Sequence, residues 1–344
     1  MERKLASVQR VHGLEPIPNA DAIELAHING WQCVVKKGEF RAGDLGVFLE
    51  IDSIPPDREP FQFLWRPKNA APGEDFARPA RFRIRTMKLR GALSQGLLLP
   101  LDALDLGGYE EGADLTALLG VEKYEAPQPI LGNGAIRGPF PAFVPKTDEM
   151  RVQSVPDVLA ELAGQPYVCT LKYDGMSATF CIDPETGDFH ACSRNFSIEY
   201  GENDIWQIAR RLELETILRR QPGLVIQGEI CGPGIQKNRL GLKQRTLFVF
   251  SLYDAASRRY LNDAALRAFC ADNGLPAVDI VGQGDAFAHT LESLLELAQG
   301  TYPNTANERE GIVIRPRQET SSAVLGGRLS FKAISNRFLL KEGD

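Results

Sequence analysis

The chain has 344 residues, more than a single hydrophobic core usually supports, so two domains are expected. Hydrophobic residues make up 43 % of it and charged residues 24 %; no apolar run is long enough to cross a bilayer, and MERKLASVQRV lacks the apolar segment of a secretory signal, so we expect a cytoplasmic protein without a membrane partner. The net charge of −6 argues against binding nucleic acid by overall charge, but it allows a local basic strip.

Residues 1–124 contain short strand-like runs, among them AIELAHI, WQCVVKK and GVFLEI, separated by turn signals such as PNAD and GDLG. Short strands bounded by such turns are typical of a small antiparallel barrel. The segment from LEPIPNAD to GVFLEI also resembles the oligonucleotide-binding (OB) barrels of tRNA-binding accessory proteins. We predict an OB-like nucleic-acid-binding domain over residues 1–124.

One predicted strand of this domain is strongly basic. Six of the thirteen residues in RPARFRIRTMKLR (residues 78–90) are lysine or arginine. Arginines at 81, 83 and 85 alternate with Phe82 and Ile84, so one face carries guanidinium groups and the other faces a core. Taken alone, this pattern is typical of a solvated surface strand.

The second half of the chain has a different pattern. Residues 125–145 are rich in proline and glycine without a sustained period, which predicts a linker or an arm. Residues 146–344 then mix strands with longer helices, which indicates an α+β domain. The helices are predicted at residues 155–163, 204–220, 261–272 and 290–299.

The six cysteines are spread along the whole chain, with no CxxC pair and no histidine at zinc-ligand spacing. We expect reduced, mostly buried thiols. They are Cys33, Cys169, Cys181, Cys192, Cys231 and Cys270.

The strand TLKYDGMSATF (residues 170–180) carries Lys172 and Asp174 on one face. A lysine on a buried face is costly unless it is paired or needed, and a solvated pair would explain these two residues alone. The later strands favour a functional interpretation, because they also carry polar residues of complementary type. These are Arg194 in SRN, Glu229 in GEI, Glu310 before GIVIRP and Lys332 in SFKAI.

Together these groups have the chemistry to hold a nucleoside triphosphate and attack its α-phosphorus. Phe248 and Phe250, on one face of LFVFSLYD, offer an aromatic ring to a base. Carboxylates suit ribose hydroxyls and a metal ion, and the cations suit phosphates.

The motifs KYDG, SRN, GE, FVF, EGIVIRP and FK occur in the order and approximate spacing of the covalent nucleotidyltransferases, the superfamily of polynucleotide ligases and mRNA capping enzymes. PKTDEMRVQ (145–153), GEICGPGIQKNRLGL (228–242) and FKAISNRFLLK (331–341) resemble RNA ligases more than DNA ligases. With its N-terminal barrel, the chain most resembles the Deinococcus-type template-dependent RNA ligases, RNA ligase family 5.

The resemblance implies a monomeric, ATP-dependent RNA ligase that uses Mg²⁺ or Mn²⁺. It would seal 3′-OH/5′-phosphate nicks in RNA or RNA/DNA duplexes through a lysyl-N–AMP intermediate and an AMP-capped 5′-phosphate. A DNA ligase, a capping-type guanylyltransferase and a catalytically retired nucleic-acid-binding protein are the alternatives. In a ligase the basic strand would contact duplex phosphates, through Arg81, Arg83, Arg85 and Lys88.

The resemblance also implies a role for each matching residue. Lys172 would be the nucleophile, with its pKa lowered by Lys332 and the metal, and Lys332 would stabilise charge at the α-phosphate. Metal contacts are expected from Glu310, through its water shell, and from Glu229. Nucleotide contacts are expected from Lys172, Asp174, Gly175, Arg194, Glu229, Phe250 (on adenine, with Phe248 as the second candidate), Glu310 and Lys332.

One position departs from the family pattern. Related ligases often have two lysines in alternate positions of the last motif, whereas Ser330 stands two residues before Lys332 here. Two interpretations are open: Arg328 or Lys341 supplies the second charge, or this charge is absent. Structural and ligand-binding roles are equally open for Lys146, Thr147 and Arg151 of the PKTDEMR segment and for Gln236, Lys237 and Asn238 of GIQKN.

Overall fold

The structure is a computed structural model that describes residues 3–65, 82–124 and 134–342. The described chain divides into two compact units, residues 3–124 with 339–342, and residues 134–338. The last helix therefore ends in the first unit, although the sequence places residues 146–344 in one domain.

The first unit consists of short antiparallel strands, as predicted. Within its described residues they form small sheets in the orders β1-β5-β9, β2-β3-β4, β7-β8 and β10-β6 around apolar cores. Its elements are β1 (Ala6–Arg10), β2 (Gly13–Pro16), β3 (Ile23–Ile28), β4 (Trp31–Lys36), β5 (Leu45–Leu49), β6 (Ser53–Ile54), α1 (Gln62–Trp65), β7 (Thr86–Leu89), β8 (Ala92–Gln95), β9 (Leu97–Pro100), α2 (Thr116–Leu119) and β10 (Glu122–Lys123).

The second unit contains two larger sheets. Its strands are β11 (Ile136–Pro139), β12 (Met150–Arg151), β13 (Tyr167–Lys172), β14 (Met176–Ile182), β15 (Phe189–Cys192), β16 (Phe196–Ile198), β17 (Leu224–Cys231), β18 (Thr246–Asp254), β19 (Arg259–Tyr260), β20 (Ile280–Gly284), β21 (Gly311–Pro316), β22 (Ser321–Ser322), β23 (Gly327–Arg328) and β24 (Phe331–Ile334). Its helices are α3 (Val158–Leu162), α4 (Asp204–Arg211), α5 (Leu214–Arg219), α6 (Asp263–Asp272) and α7 (Leu291–Leu297), and α8 (Asn336–Glu342) begins here.

The two sheets are joined by the turn that follows Lys172. The seven-stranded sheet has the order β11-β16-β15-β14-β17-β18-β19, and the five-stranded sheet has the order β12-β24-β21-β13-β20. Strand β13 belongs to the five-stranded sheet and β14 to the seven-stranded sheet, so residues 173–175, here called the crossover turn, carry the chain between them. Apart from the parallel pair β12–β24, the strands of these sheets pair antiparallel.

The helix predicted over residues 204–220 is two helices. Asn203 caps the first by accepting a hydrogen bond from the backbone N–H of Trp206. Glu213 then adopts a left-handed conformation with φ of 50°, which ends the regular helix before α5.

Part of the predicted linker is a strand. Residues 136–139 pair antiparallel with β16 at the edge of the seven-stranded sheet, where a proline is tolerated because one side of the strand needs no ladder hydrogen bonds. Residues 125–133 lie outside the described part of the chain.

Two further expectations concern the whole chain. All six cysteines are free and buried, as predicted. No helix in the described segments is long and apolar enough to span a membrane.

Candidate active site

The structure brings Lys172 and Glu310 into direct contact. Lys172 ends β13 and pairs with Gly311, so the residue before Gly311 reaches the lysine: Nζ of Lys172 lies 2.7 Å from Oε1 of Glu310. Burial works against the charged amine, but the carboxylates of Glu310 and Glu229 outweigh it and raise the pKa of Lys172. The pKa of Lys172 was expected to be lowered by Lys332, but in the free protein it is raised.

Glu229 approaches the same amine from the other sheet. It lies on β17, opposite Ser177 of β14. Burial raises its pKa to about 8; Lys172 opposes this shift, and Glu310 and Asp174 add to it. Three acidic groups thus repel one another around one half-buried lysine, an arrangement that a divalent cation would relieve.

The donor set fits a metal held through water. In the part of the chain that the structure describes, no three or more His, Cys, Asp or Glu side chains are placed to hold a metal ion directly. Mg²⁺ keeps several of its waters in protein sites, so Glu310 and Glu229 would bind it through them.

Lys332 adds a second amine to this site. It lies on β24 opposite Val313, which in turn pairs with Thr170 of β13, so the side chains of Lys332 and Lys172 are on the same face of the sheet. Burial, followed by the charges of Lys172 and Arg151, lowers the pKa of Lys332 to about 7. A phosphate anion beside these groups would stabilise their positive charge.

The crossover turn is fixed by its neighbours. Arg239 donates from Nε to Oδ2 of Asp174 over 2.6 Å. A Cβ atom at Gly175 would lie 2.5 Å from the carbonyl oxygen of Ile230, so glycine is required by close packing against β17. Gly175 was predicted as a nucleotide contact, and no sequence pattern indicated Arg239.

Tyr302 is the main feature of the site that sequence patterns missed. Its buried hydroxyl accepts hydrogen bonds from the backbone N–H groups of Asp174 at 3.0 Å and Glu310 at 3.2 Å, and donates to the carbonyl of Lys172 at 3.3 Å. One hydroxyl thus ties together the two backbone segments that present Lys172 and Glu310. Nothing in TYPNTAN distinguishes this tyrosine from an ordinary core residue.

The two candidate adenine-stacking rings occupy different positions. Phe248 pairs directly with Glu229 and stacks on Tyr173, with ring centroids 4.4 Å apart. Phe250 lines a cavity of about 10 Å³ together with Thr170 and Val278. This cavity has room for about one water molecule. Phe248, the second candidate, is thus the one beside the carboxylates, and the adenine contact of either ring stays a prediction.

The PKTDEMR segment runs along the site and contacts several of its residues. The hydroxyl of Thr147 lies 3.0 Å from that of Ser177, Asp148 forms an ion pair with Arg194, and Arg151 pairs with Lys332 in the parallel ladder. The side chain of Arg194 remains 61 % exposed at the turn after β15, which leaves it accessible to a ligand.

Ser330 belongs to a buried polar cluster. Its hydroxyl donates to Oε1 of Glu149 over 2.7 Å and accepts from Nε of Arg315 over 2.9 Å. Arg328 forms an ion pair with Glu319 and lies over the ring of Tyr260, so it does not replace the second lysine beside Lys332. Lys341 is among the α8 residues that group with the first unit.

The residues of the GIQKN segment differ in their contacts. Asn238 donates from Nδ2 to the carbonyl of Leu242 over 3.0 Å, and its Oδ1 accepts from the backbone N–H of Leu242 over 3.1 Å. Gln236 donates to the carbonyl of Gly175 over 3.3 Å, and Lys237 is exposed.

The basic strand of the first unit is less uniform than its sequence. Arg83 is half-buried, ion-paired with Asp52 at 2.5 Å and positioned over the ring of Tyr124. Arg85 and Lys88 are exposed, but strand alternation places them on opposite faces. Arg81 lies outside the described residues.

The fold and the site define a class of enzyme, a nucleotidyltransferase with an amino-terminal OB barrel and an adenylation-type domain. A family profile for an OB-fold domain matches residues 5–101, and one for RNA ligase matches residues 165–334. A search of curated proteins found no match.

Solved structures of Naegleria gruberi RNA ligase are similar over the whole chain. A lysine-to-alanine mutant with ATP and Mn is 36 % identical, covers 98 % of this chain and 99 % of its own, and superposes with a TM-score of 0.81. The protein with PPi and a glutamate-to-alanine mutant with AMP and Mn are each 36 % identical, cover 99 % of both chains and have the same TM-score of 0.81. The chain belongs to the RNA ligase family, which confirms the predicted fold class and the predicted ligase.

Proposed function

We propose that this RNA ligase uses ATP to seal 3′-OH/5′-phosphate nicks in duplexes that contain RNA, as a member of the Deinococcus-type template-dependent group. The observation that carries the proposal is the ion pair of Lys172 and Glu310, with Glu229 and Lys332 beside it, where two sheets meet. Structures of the Naegleria gruberi enzyme with ATP and Mn, AMP and Mn, and PPi support the same substrate and metal. We extend the proposal, on the sequence alone, to a cytoplasmic monomer.

The first step joins Lys172 to AMP. Nζ of Lys172 loses a proton and attacks the α-phosphorus, an N–P bond forms, the bond to the bridging oxygen breaks, and pyrophosphate leaves. The raised pKa of Lys172 requires that this proton be removed in place, and Glu310 at 2.7 Å is positioned to accept it. Lys332, protonated beside the bound phosphate, stabilises the developing negative charge.

The next two steps pass the activation to the polynucleotide. An oxygen of the 5′-phosphate attacks the AMP phosphorus and the N–P bond breaks, which regenerates Lys172. The 3′-hydroxyl then attacks the activated 5′-phosphate, and AMP leaves. Mg²⁺ or Mn²⁺, held through water by Glu310 and Glu229, would neutralise phosphate charge when bound, while the protein contributes alignment.

The proposal is tested in two stages with the intact protein. Incubation with α-labelled ATP or GTP should give an acid-labile adduct with ATP alone, and Lys172→Ala should abolish it. A panel of nicked duplexes with RNA or DNA on each side of the nick should then show sealing where RNA is present. An adduct on Lys172→Ala would exclude Lys172 as nucleophile, labelling by GTP would favour the capping alternative, and sealing of DNA alone would favour a DNA ligase.

A further inference from the structure

An open cavity of about 390 Å³ lies between α4 and the loop of residues 232–245, here called the basic loop. One face of α4 contributes Asp204, Gln207 and Arg211, and the loop contributes Lys243, Gln244 and Arg245. The site around Lys172, Glu310, Glu229 and Lys332 is here called the lysine site. None of the cavity residues belongs to it, and no role described above involves the cavity.

The cavity carries excess positive charge. Arg245 is paired with Asp204, with Nη1 2.7 Å from Oδ1, so this arginine and this carboxylate balance each other. Arg211 donates to the carbonyl of Arg245 over 2.5 Å, which fixes its guanidinium at the rim. Lys243 is exposed and, among the described residues, has no ion pair or hydrogen bond from its amine. Two cations are therefore left for an anion from solution.

The basic loop also reaches the lysine site. Its sequence GPGIQKNRLGLKQR has four basic residues and no acidic one. Gln236 and Arg239 contact the crossover turn, at the carbonyl of Gly175 and the carboxylate of Asp174. Since Lys243 follows Gln236 by seven positions, the chain between them spans at most about 25 Å. A polynucleotide whose end lies at Lys172 would therefore reach the cavity within a few nucleotides.

We propose that this cavity binds a backbone phosphodiester of the polynucleotide substrate, several nucleotides from the end that is joined. The inference rests on the proposed ligase function and names a contact that this function does not require. Lys243 acts as a mobile point charge and Arg211 as a fixed donor, which suits a phosphate without reading a base. The triphosphate of ATP is a separate ligand, because it is bound at Lys172 and Lys332.

The test compares Lys243→Glu with Arg220→Glu. Both residues are exposed arginine or lysine side chains of the second unit, but Arg220 follows α5 and does not line the cavity. We expect Lys243→Glu to form the lysyl–AMP adduct with unchanged kcat and KM for ATP. Its KM for the nicked duplex should rise about 3- to 10-fold, and the slope of log affinity against log salt should fall by about 1. Arg220→Glu should match the wild type.

The outcomes separate this inference from the proposed function. A raised KM for ATP in Lys243→Glu would overturn the inference by assigning the cavity to the triphosphate. Equal duplex affinity and salt slope in the two variants would also overturn it. If the proposed function is wrong, the wild type itself will not seal nicks. In that case, binding of labelled duplex to the wild type and the two variants still decides whether the cavity holds a phosphodiester.

Discussion

Tyr302 contributes one hydroxyl to three backbone groups next to Lys172 and Glu310. Tyr302→Phe keeps the ring and its stacking on Tyr173 but leaves the N–H groups of Asp174 and Glu310 without this acceptor. Leaving buried donors unpaired costs about 1–3 kcal/mol. We expect kcat for lysine adenylylation to fall about tenfold while KM for ATP changes little, because alignment rather than binding is lost. Rapid-quench measurement of adduct formation checks this.

Tyr167→Phe is the matched control for that experiment. Like Tyr302, Tyr167 is buried, but it lies on β13 and its hydroxyl has a single partner, Nε2 of His289 at 2.9 Å, away from Lys172 and Glu310. Both variants should have a similar melting temperature. If they also have the same kcat, Tyr302 is an ordinary core residue.

Lys332 should reduce the stability of the free protein. Its pKa is lowered from 10.5 to about 7, so the folded state binds fewer protons than the unfolded state between these values, and stability rises with pH across that window. The cost of burying the charge is thus largest below pH 7 and is relieved towards pH 10.5. We expect Lys332→Met to raise Tm at pH 7, to lose that gain as pH increases, and to abolish sealing. Thermal unfolding of both proteins across pH gives the result, and an unchanged Tm at neutral pH would contradict it.

The residues that sequence analysis identified are those whose chemistry is unusual for their position. A lysine at the end of an apolar strand, or a glutamate just before a glycine and a buried strand, stands out in a single segment. Tyr302, Glu149 and Arg239 act through partners 128, 166 and 65 residues away, and neither their type nor their local pattern is unusual. Such contacts follow from strand order, which the sequence alone did not determine.

Among the structural elements, the segment of residues 145–151 connects several strands around the site. Glu149 is one of these links, since its Oε1 accepts hydrogen bonds from Nη2 of Arg315 over 3.1 Å and from Oγ of Ser330 over 2.7 Å. Glu149→Ala would leave the buried guanidinium of Arg315 without its carboxylate, and we expect the free energy of unfolding to fall by about 3–5 kcal/mol. Urea denaturation measures the change.

Asp285→Ala provides the comparison for Glu149→Ala. It also removes an arginine's carboxylate partner, that of Arg317 at 2.9 Å, but Asp285 is 91 % exposed. The loss there should be about 0–1 kcal/mol. If both variants lose the same free energy of unfolding, burial does not determine how much the Arg315 ion pair contributes to stability.

The ends of helices were predictable where hydrophobic periodicity and a capping residue agree. They were not predictable where contacts with distant parts of the chain determine where an element begins or ends. Asn262 and Thr290 cap α6 and α7 close to the predicted starts. The break at Glu213 could not be seen, because helical periodicity continues across it. Residues 136–139 lack a strand pattern and become β11 because β16 offers them a free edge.

At the scale of the whole molecule, an acidic chain with a net charge of −6 must bind a polyanion through local basic groups. The first unit offers Arg85 and Lys88, whereas Arg83 is already paired with Asp52. We expect Arg85→Glu combined with Lys88→Glu to leave lysyl–AMP formation unchanged, since the proposed nucleotide site lies in the second unit. Duplex affinity and its salt dependence should both decrease, by about one unit of log slope for each lost phosphate contact.

The control for that double variant reverses two exposed basic residues elsewhere in the same unit. Lys36 and Lys37, at the end of β4, are exposed and give the same change in net charge when replaced by glutamate. If both double variants weaken sealing equally, net charge alone is responsible. If only the Arg85 and Lys88 variant does so, and adduct formation is intact in both, the OB barrel contributes a located contact with the duplex while the second unit carries out the chemistry.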